Sequence, residues 1–192
     1  MTKNRLEAFS DGVIAIIITI MVLEMKIPHD ASLMALKPVL PVFLCYILSF
    51  VYVGIYWNNH HHLWYIAKHV NGSVMWANMH LLFWLSLFPF VTGWMGENHF
   101  SALPVALYGF VVMMAAIAWY ILARLLIRLH GKDSALAHAY GKDIKGKISA
   151  LIYLVAIILS FFFSWLSLAL YTLVAVVWFV PDKRIVKELD RE

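Results

Sequence analysis

Apolar residues fall in long blocks along this chain, and short polar segments separate the blocks. An α-helix needs about 20 mostly apolar residues to cross a hydrocarbon core about 30 Å thick, and most of the blocks approach that length. The pattern predicts an all-α integral membrane subunit: one transmembrane domain over residues 1–192, with no separate soluble domain. The six predicted spans cover about residues 4–26, 38–59, 73–94, 104–129, 148–163 and 165–181.

Prolines and span lengths set the divisions between these helices. Pro38 and Pro41 suit the first turn of a helix, whereas Pro89 inside the third span predicts a kink. Residues 148–181 carry no charge, and as one helix they would extend about 51 Å, well beyond the bilayer. We therefore expect two short helices there, joined by a turn near residues 160–167.

The composition supports a membrane location. Hydrophobic residues make up 63% of the chain and charged residues 14%, with a mean hydropathy of +0.80. Soluble domains average about 45–50% apolar and roughly 25% charged residues, so a bilayer must be the main solvent of this chain. The single cysteine, Cys45, lies in an apolar block, and no intrachain disulfide can form.

Basic residues are distributed unevenly between the two sides of the predicted helices. One side holds the N-terminus, the 60–72 loop, the 124–147 region and the C-terminal tail, with thirteen of the fifteen Lys and Arg residues. Because basic residues favour the cytoplasmic side, both termini are predicted to be cytoplasmic. The net charge of +4 reflects this bias, so we expect no nucleic-acid partner.

The sequence lacks the motifs of common enzymes. It has no phosphate-binding loop, nucleophile elbow, HExxH or CxxC motif, so we expect neither an enzyme nor a cofactor. His60, His61 and His62 are consecutive, and on a helix their side chains point about 100° apart and cannot all face one ion. We therefore predict no metal site. Instead, we expect His61, Asn78 and His80 to form interhelical hydrogen bonds.

The first helix has two different faces. At about 100° per residue, Thr19, Ile20 and Leu23 lie within about 60° of Ile16, whereas Asp11 lies on the opposite side. One face is therefore branched and apolar with a single hydroxyl, and the other begins with a carboxylate that needs a partner. By pattern alone, both faces would by default pack against other helices, and the lining of a pore is the alternative.

A short motif at the start of this helix indicates a family. The residues from Arg5 to Gly12 read Arg-Leu-Glu-Ala-Phe-Ser-Asp-Gly, and an apolar run to Glu24 follows. This segment strongly resembles the Arg-xxx-Phe-Ser-Asp signature that opens the first helix of the transmembrane protein 175 family, which comprises the endolysosomal potassium channel and its bacterial relatives. The match is specific over the first 28 residues and looser beyond, where six spans and Asn78 with Pro89 also agree. One signature is present, whereas the animal protein carries two six-helix repeats, so the chain resembles a bacterial form, located in the inner cell membrane.

The resemblance implies a potassium-permeable, leak-like cation channel in which four identical subunits surround a pore lined by their first helices. Such channels lack the Thr-Val-Gly-Tyr-Gly carbonyl filter, as this sequence does. Its partners would be K⁺ and other monovalent cations, membrane lipid and further copies of the chain. The implied site residues are Ile16, Ile20 and Leu23 as stacked hydrophobic constrictions, Thr19 as a hydroxyl for ion preference, and Arg5, Phe9, Ser10 and Asp11 as a structural signature.

A physical mechanism for such a pore follows from its lining. Rings of isoleucine or leucine can close a pore by dewetting, because a narrow apolar tube does not compensate an ion for its lost hydration. Glu24 at the outer mouth would concentrate cations through its field. The alternatives are a small secondary ion transporter, a proton-permeable channel, or a membrane protein with no flux of its own. A transporter often has repeat symmetry, and the sequence holds no second copy of the first-helix motif.

Overall fold

The computed structural model describes residues 2–141 and 143–179, and within these ranges the chain contains helices, turns and loops but no β-strand. The predicted all-α fold class is confirmed. The end of the predicted sixth span, at residues 180–181, and the C-terminal tail lie outside the described residues. The helices are α1 (Lys3–Leu23), α2 (Leu40–Ile66), α3 (Gly72–Ser86), α4 (Phe88–Glu97), α5 (Ala102–His130), α6 (Ala135–Tyr140), α7 (Ile144–Leu159) and α8 (Ser164–Phe179), with a 3-10 helix at Leu33–Leu36.

Four of these segments are long and apolar enough to cross a membrane. They are α1, α2, the segment Gly72–Glu97 that contains α3 and α4, and α5. The helices α7 and α8 have 16 residues each, which gives each a length of about 24 Å, somewhat less than the hydrocarbon core.

The helix α5 is the centre of the bundle. It packs against α3, α4, α7 and α8 and also contacts α6. Fourteen of its residues are buried, whereas α1 buries five. The helix α1 packs mainly against α2, α3 and α4. It therefore lies at one side of the bundle and retains an uncovered face.

Buried hydroxyl groups join the helices around α5. The hydroxyls of Ser49 and Thr92 lie 2.6 Å apart and connect α2 to α4. The Tyr52 hydroxyl donates to the Tyr171 carbonyl oxygen at 2.6 Å and connects α2 to α8. Gly109 of α5 admits the Tyr171 side chain, because a Cβ atom at this position would overlap the tyrosine hydroxyl.

Several helix ends differ from those that the sequence predicts. The helix α2 continues to Ile66 instead of ending at residue 59, because the polar residues at its end find partners within the protein. Asn59 donates to the Ile55 carbonyl oxygen at 2.9 Å, and His60 is buried against α3. The helix α7 begins at Ile144 rather than residue 148, since Asp143 caps it by accepting from the Gly146 N–H.

The third predicted span contains a break. The helix is interrupted at Leu87, and Pro89 occupies the first turn of α4. Proline has no N–H to donate to the preceding turn, so the helical ladder is interrupted and restarts after it. The chain also turns at residues 160–163, between α7 and α8.

Candidate functional site

The helix α1 presents one buried face and one uncovered face. Ile16 is 57% exposed, Ile20 40% and Leu23 80%, and Thr19 is exposed as well. These four residues form the face for which the family resemblance predicts the hydrophobic constrictions and the pore hydroxyl. In a single protomer this face is bare. The buried residues of the opposite face recur every three or four positions at Leu6, Ser10, Ile14, Ile17 and Met21.

The uncovered face continues to the N-terminal end of α1. Phe9 is 47% exposed, and Gly12 leaves open space beside the backbone. Arg5 is exposed and forms no hydrogen bond or ion pair with any residue in the described part of the chain. An apolar helix face of this length requires cover, which either lipid or another copy of the chain can provide.

Thr19 is the hydroxyl residue on the uncovered face. Its hydroxyl donates to the Ile16 carbonyl oxygen at 2.8 Å. The donor is therefore satisfied within the helix, and the oxygen lone pairs stay accessible on the exposed side. This arrangement suits an oxygen that accepts from water or contacts a cation.

A chain of buried hydrogen bonds holds the opposite face of α1. The Asn78 amide donates to the Ser10 hydroxyl at 2.9 Å, and its Oδ1 lies 2.8 Å from His60 Nε2. The Ser10 hydroxyl donates to the Leu6 carbonyl oxygen, and the Trp64 indole N–H points at the His60 ring. The Asn78 Oδ1 can only accept, so this bond requires the tautomer with the proton on His60 Nε2, in which the Trp64 indole donates to Nδ1 at 3.1 Å. The bonds therefore run in one direction through three helices.

Charged residues of α1 also contact α2, and Lys3 Nζ donates to the Trp64 carbonyl oxygen at 2.9 Å. The Trp57 indole N–H donates to Asp11 Oδ1 at 3.1 Å, which gives the carboxylate on the far side of α1 a partner. Glu7 Oε1 lies 3.4 Å from His61 Nδ1, an ion pair when the imidazole is protonated. Signature residues and the polar end of α2 thus meet over the first three turns of α1.

Other residues singled out in the sequence lie apart from this network. His80 accepts a hydrogen bond from the Trp84 indole at 2.9 Å, four residues along the same helix, rather than from another helix. Glu24 is exposed just beyond the end of α1. Nearby, Lys26 Nζ lies 2.7 Å from Glu97 Oε1, and this hydrogen bond and charge raise the pKa of Lys26.

Sequence reasoning missed the partners of the signature. These partners include Trp57, His60 and Trp64. Trp57 and His61 lie four residues apart on one helix face, as do His60 and Trp64. That spacing on a helix facing α1 is the signal that could have identified them. Within residues 2–141 and 143–179, no group of three or more His, Cys, Asp or Glu residues is placed to hold a metal ion.

Comparison with known proteins places the chain in a family. Residues 5–89 match the family described as endosomal/lysosomal potassium channel TMEM175. A potassium channel of Chryseobacterium sp. (strain P1-3) is 56% identical over 189 residues, covering 98% of both chains.

The crystal structure of a lysosomal potassium-selective channel TMEM175 homolog from Chamaesiphon minutus superposes with a TM-score of 0.77 at 27% identity, covering 92% of this chain and 95% of that one. The human endosomal/lysosomal proton channel TMEM175 is 40% identical over 75 residues, 33% of this chain and 15% of the human protein. This chain belongs to the TMEM175 family, and it is a multi-pass membrane protein.

Proposed function

We propose that the chain is a potassium-permeable, leak-like cation channel in which α1 from each of four identical subunits lines the pore. The observation that carries the proposal is the uncovered Ile16 face of α1. Full-length bacterial relatives named as potassium channels support it. Because the family and these relatives are ion channels, the prediction that the chain is not an enzyme is confirmed.

The gate is proposed to lie on this face. Ile16, Ile20 and Leu23 recur at i, i+4 and i+7, so four copies around an axis would stack three apolar rings about 4.5–6 Å apart. Each ring excludes water when narrow, and widening admits hydrated cations. Glu24, exposed beyond the last ring, would attract cations to the outer mouth.

The signature is proposed to hold α1 in place rather than to contact ions. Ser10 is fully buried and bonded to Asn78, and Asp11 accepts from Trp57 on α2. Both contacts lie away from the Ile16 face. They fix the rotation of α1 about its own axis, and that rotation decides which residues face the pore.

The proposed location is a bacterial inner membrane, with both termini in the cytoplasm. The described basic residues Arg124, Arg128, Lys145 and Lys147 lie at the end of the bundle where α5 ends and α7 begins. The Lys26–Glu97 pair lies at the opposite end, where α1 and α4 end. This distribution favours a cytoplasmic position for the first of these ends.

Recording from purified protein in planar bilayers tests the channel. With KCl on one side and NaCl on the other, we expect a reversal potential displaced toward the potassium equilibrium potential. Ile16→Asn should raise the basal current severalfold, because an amide replaces part of an ion's hydration shell and wets the ring. The matched control is Ile158→Asn on α7, since Ile158 is also 57% exposed. It should conduct like the parent.

Two results would contradict the proposal. Parent protein that conducts nothing under any cation gradient would exclude a channel. An Ile16→Asn variant that conducts like the parent, while Ile158→Asn raises the current, would move the pore away from α1.

A second candidate function is proton permeation. The human, chicken and zebrafish relatives are named endosomal/lysosomal proton channels, and their matches of 75 to 81 residues cover about a third of this chain. Proteoliposomes that contain a pH-sensitive dye and no permeant metal cation distinguish proton permeation from potassium permeation. Collapse of an imposed pH gradient that depends on the protein would support proton permeation.

A further inference from the structure

A cavity of about 350 Å³ lies between α2, α5, α7 and α8, away from the uncovered face of α1. Its lining is mainly apolar, and its volume is within the range of ligand pockets, about 300–1,000 Å³. Two tyrosines in the lining need no polar ligand, because the Tyr153 hydroxyl donates to the Tyr52 hydroxyl, which itself donates to Tyr171. An occupant would therefore place hydrocarbon in this part of the cavity. The apolar walls include Ile55, Ala116, Ile117 and Ala150.

The charged residues of the lining lie at the start of α7. Lys147 borders the cavity, and among the described residues no side chain forms an ion pair with it. Asp143 also borders the cavity, but its Oδ1 accepts from the Gly146 N–H at 2.7 Å as the cap of α7. The carboxylate is thus stabilised by its own helix, whereas the ammonium group is available to an anion.

Two more cationic side chains contact aromatic residues of the same lining. Arg124 donates from Nε to the Tyr120 hydroxyl at 2.9 Å, and its guanidinium lies 5.2 Å from the centre of that ring. Lys145 Nζ lies 4.9 Å from the centre of the Trp178 ring. Tyr120 and Trp178 both line the cavity. With Lys147 and Arg124 beside the single carboxylate of Asp143, this polar end carries a positive charge.

We propose that the cavity binds an acyl chain of an anionic phospholipid from the cytoplasmic leaflet, with Lys147 contacting the phosphate. An apolar interior with a positive end matches an amphiphile of that charge, and basic pockets between membrane helices bind such headgroups. The site rests on the orientation proposed above but not on ion conduction. A defect in lipid binding and a defect in conduction are therefore separate results.

Native mass spectrometry of the full chain tests whether the charge of Lys147 selects an anionic headgroup. The purified protein is incubated in detergent with equal amounts of phosphatidylglycerol and phosphatidylcholine that carry identical acyl chains. We expect the parent to retain phosphatidylglycerol in preference. Lys147→Gln should lower that retention about fivefold, the effect of one basic residue at a membrane surface. The control is Lys132→Gln, at an exposed lysine between α5 and α6, which should retain lipid like the parent.

A second pair of variants tests the cavity without changing charge. Ala150→Phe should narrow it and lower retention of both lipids at this site, because the ring takes space that the acyl chain would occupy. Leu151→Phe is the control, since Leu151 is 61% exposed and faces away from the cavity. Size-exclusion chromatography identifies a misfolded Ala150→Phe, in which case the Lys147→Gln comparison decides alone.

Three outcomes would overturn the proposal. Equal retention of both lipids by the parent would indicate only a lipid annulus with no headgroup recognition. Unchanged phosphatidylglycerol retention in Lys147→Gln would remove the phosphate contact, and unchanged retention in a folded Ala150→Phe would remove the cavity as the site.

Discussion

Ser10 and Thr19 are hydroxyl residues on opposite faces of one helix, and their surroundings suit them to different roles. Ser10 is fully buried, donates to the Leu6 carbonyl oxygen and accepts from Asn78. Thr19 also donates within the helix, but its oxygen is exposed. A hydroxyl that accepts from a neighbouring helix fixes position, whereas one with accessible lone pairs can contact a partly dehydrated ion.

Thr19→Val should change the potassium-to-sodium permeability ratio, since it removes the side-chain oxygen between the apolar rings while nearly preserving shape. Ile20→Val, one residue along the same exposed face, removes a methylene and no oxygen. Its reversal potential should stay close to that of the parent. The measurement is the reversal potential under opposed potassium and sodium solutions. Unchanged potentials in Thr19→Val would show that ion preference arises elsewhere.

Asn78→Ala should destabilise the fold, because it leaves His60 and Ser10 without their shared partner. Each buried polar group left unpaired costs about 1–3 kcal/mol. Thermal unfolding in detergent should therefore show a midpoint several degrees below that of the parent. The control is Asn98→Ala, since Asn98 is exposed and donates only to the Trp94 carbonyl oxygen nearby in sequence. Equal midpoints for the parent and Asn78→Ala would mean that the network contributes no net stability.

At the scale of elements, α1 is a helix held on one side only. Its buried residues pack on α2, α3 and α4, and its other face is bare. The periodicity of the sequence predicts both faces, because a 3.6-residue repeat is a local property. It does not say which face the protomer covers. That depends on packing partners from distant segments, such as Asn78 on α3.

The difference between a local pattern and packing by distant segments also explains which helix ends could be predicted from the sequence. The break near Pro89 follows from one residue that lacks a donor, so it is visible in the sequence. The end of α2 is not visible in the sequence. Residues 58–62 have the composition of a polar loop, and only the fold brings Asn78 to His60 as a buried hydrogen-bond partner. Likewise, the cavity beside α7 combines residues from four helices, and no single segment of the sequence indicates it.

The described part of the molecule is a bundle around α5, and apolar side chains are exposed on several of its sides. One side is the Ile16 face of α1, and another is formed by α7 and α8, where Phe162 is 72% exposed. Lipid and protein cover apolar surface equally well, so burial in one protomer does not assign these sides. The proposed closed ring of subunits would distinguish them, because the surface at its axis would lie close to its own copies.

Cross-linking from outside the cell distinguishes the two sides. In a Cys45→Ala background, Leu23→Cys carries its thiol at the end of α1, where the parent leucine is 80% exposed. Around a narrow axis these thiols lie close together, so a short, membrane-impermeant bifunctional thiol reagent should join them in intact cells. Because each subunit has one thiol, covalent dimers are expected on a denaturing gel. The native assembly should have the mass of four 22.0 kDa chains.

Phe162→Cys provides the comparison, since it lies in the turn between α7 and α8, at the end of the bundle that the orientation places outside. A monofunctional impermeant reagent should label both variants from outside, which tests orientation separately from symmetry. Only Leu23→Cys should then form dimers, because the proposed assembly leaves the α7–α8 side in contact with lipid. Dimers from Phe162→Cys alone would place that side at the subunit contact and α1 at the periphery. Labelling of neither variant would instead show that these ends of the helices face the cytoplasm.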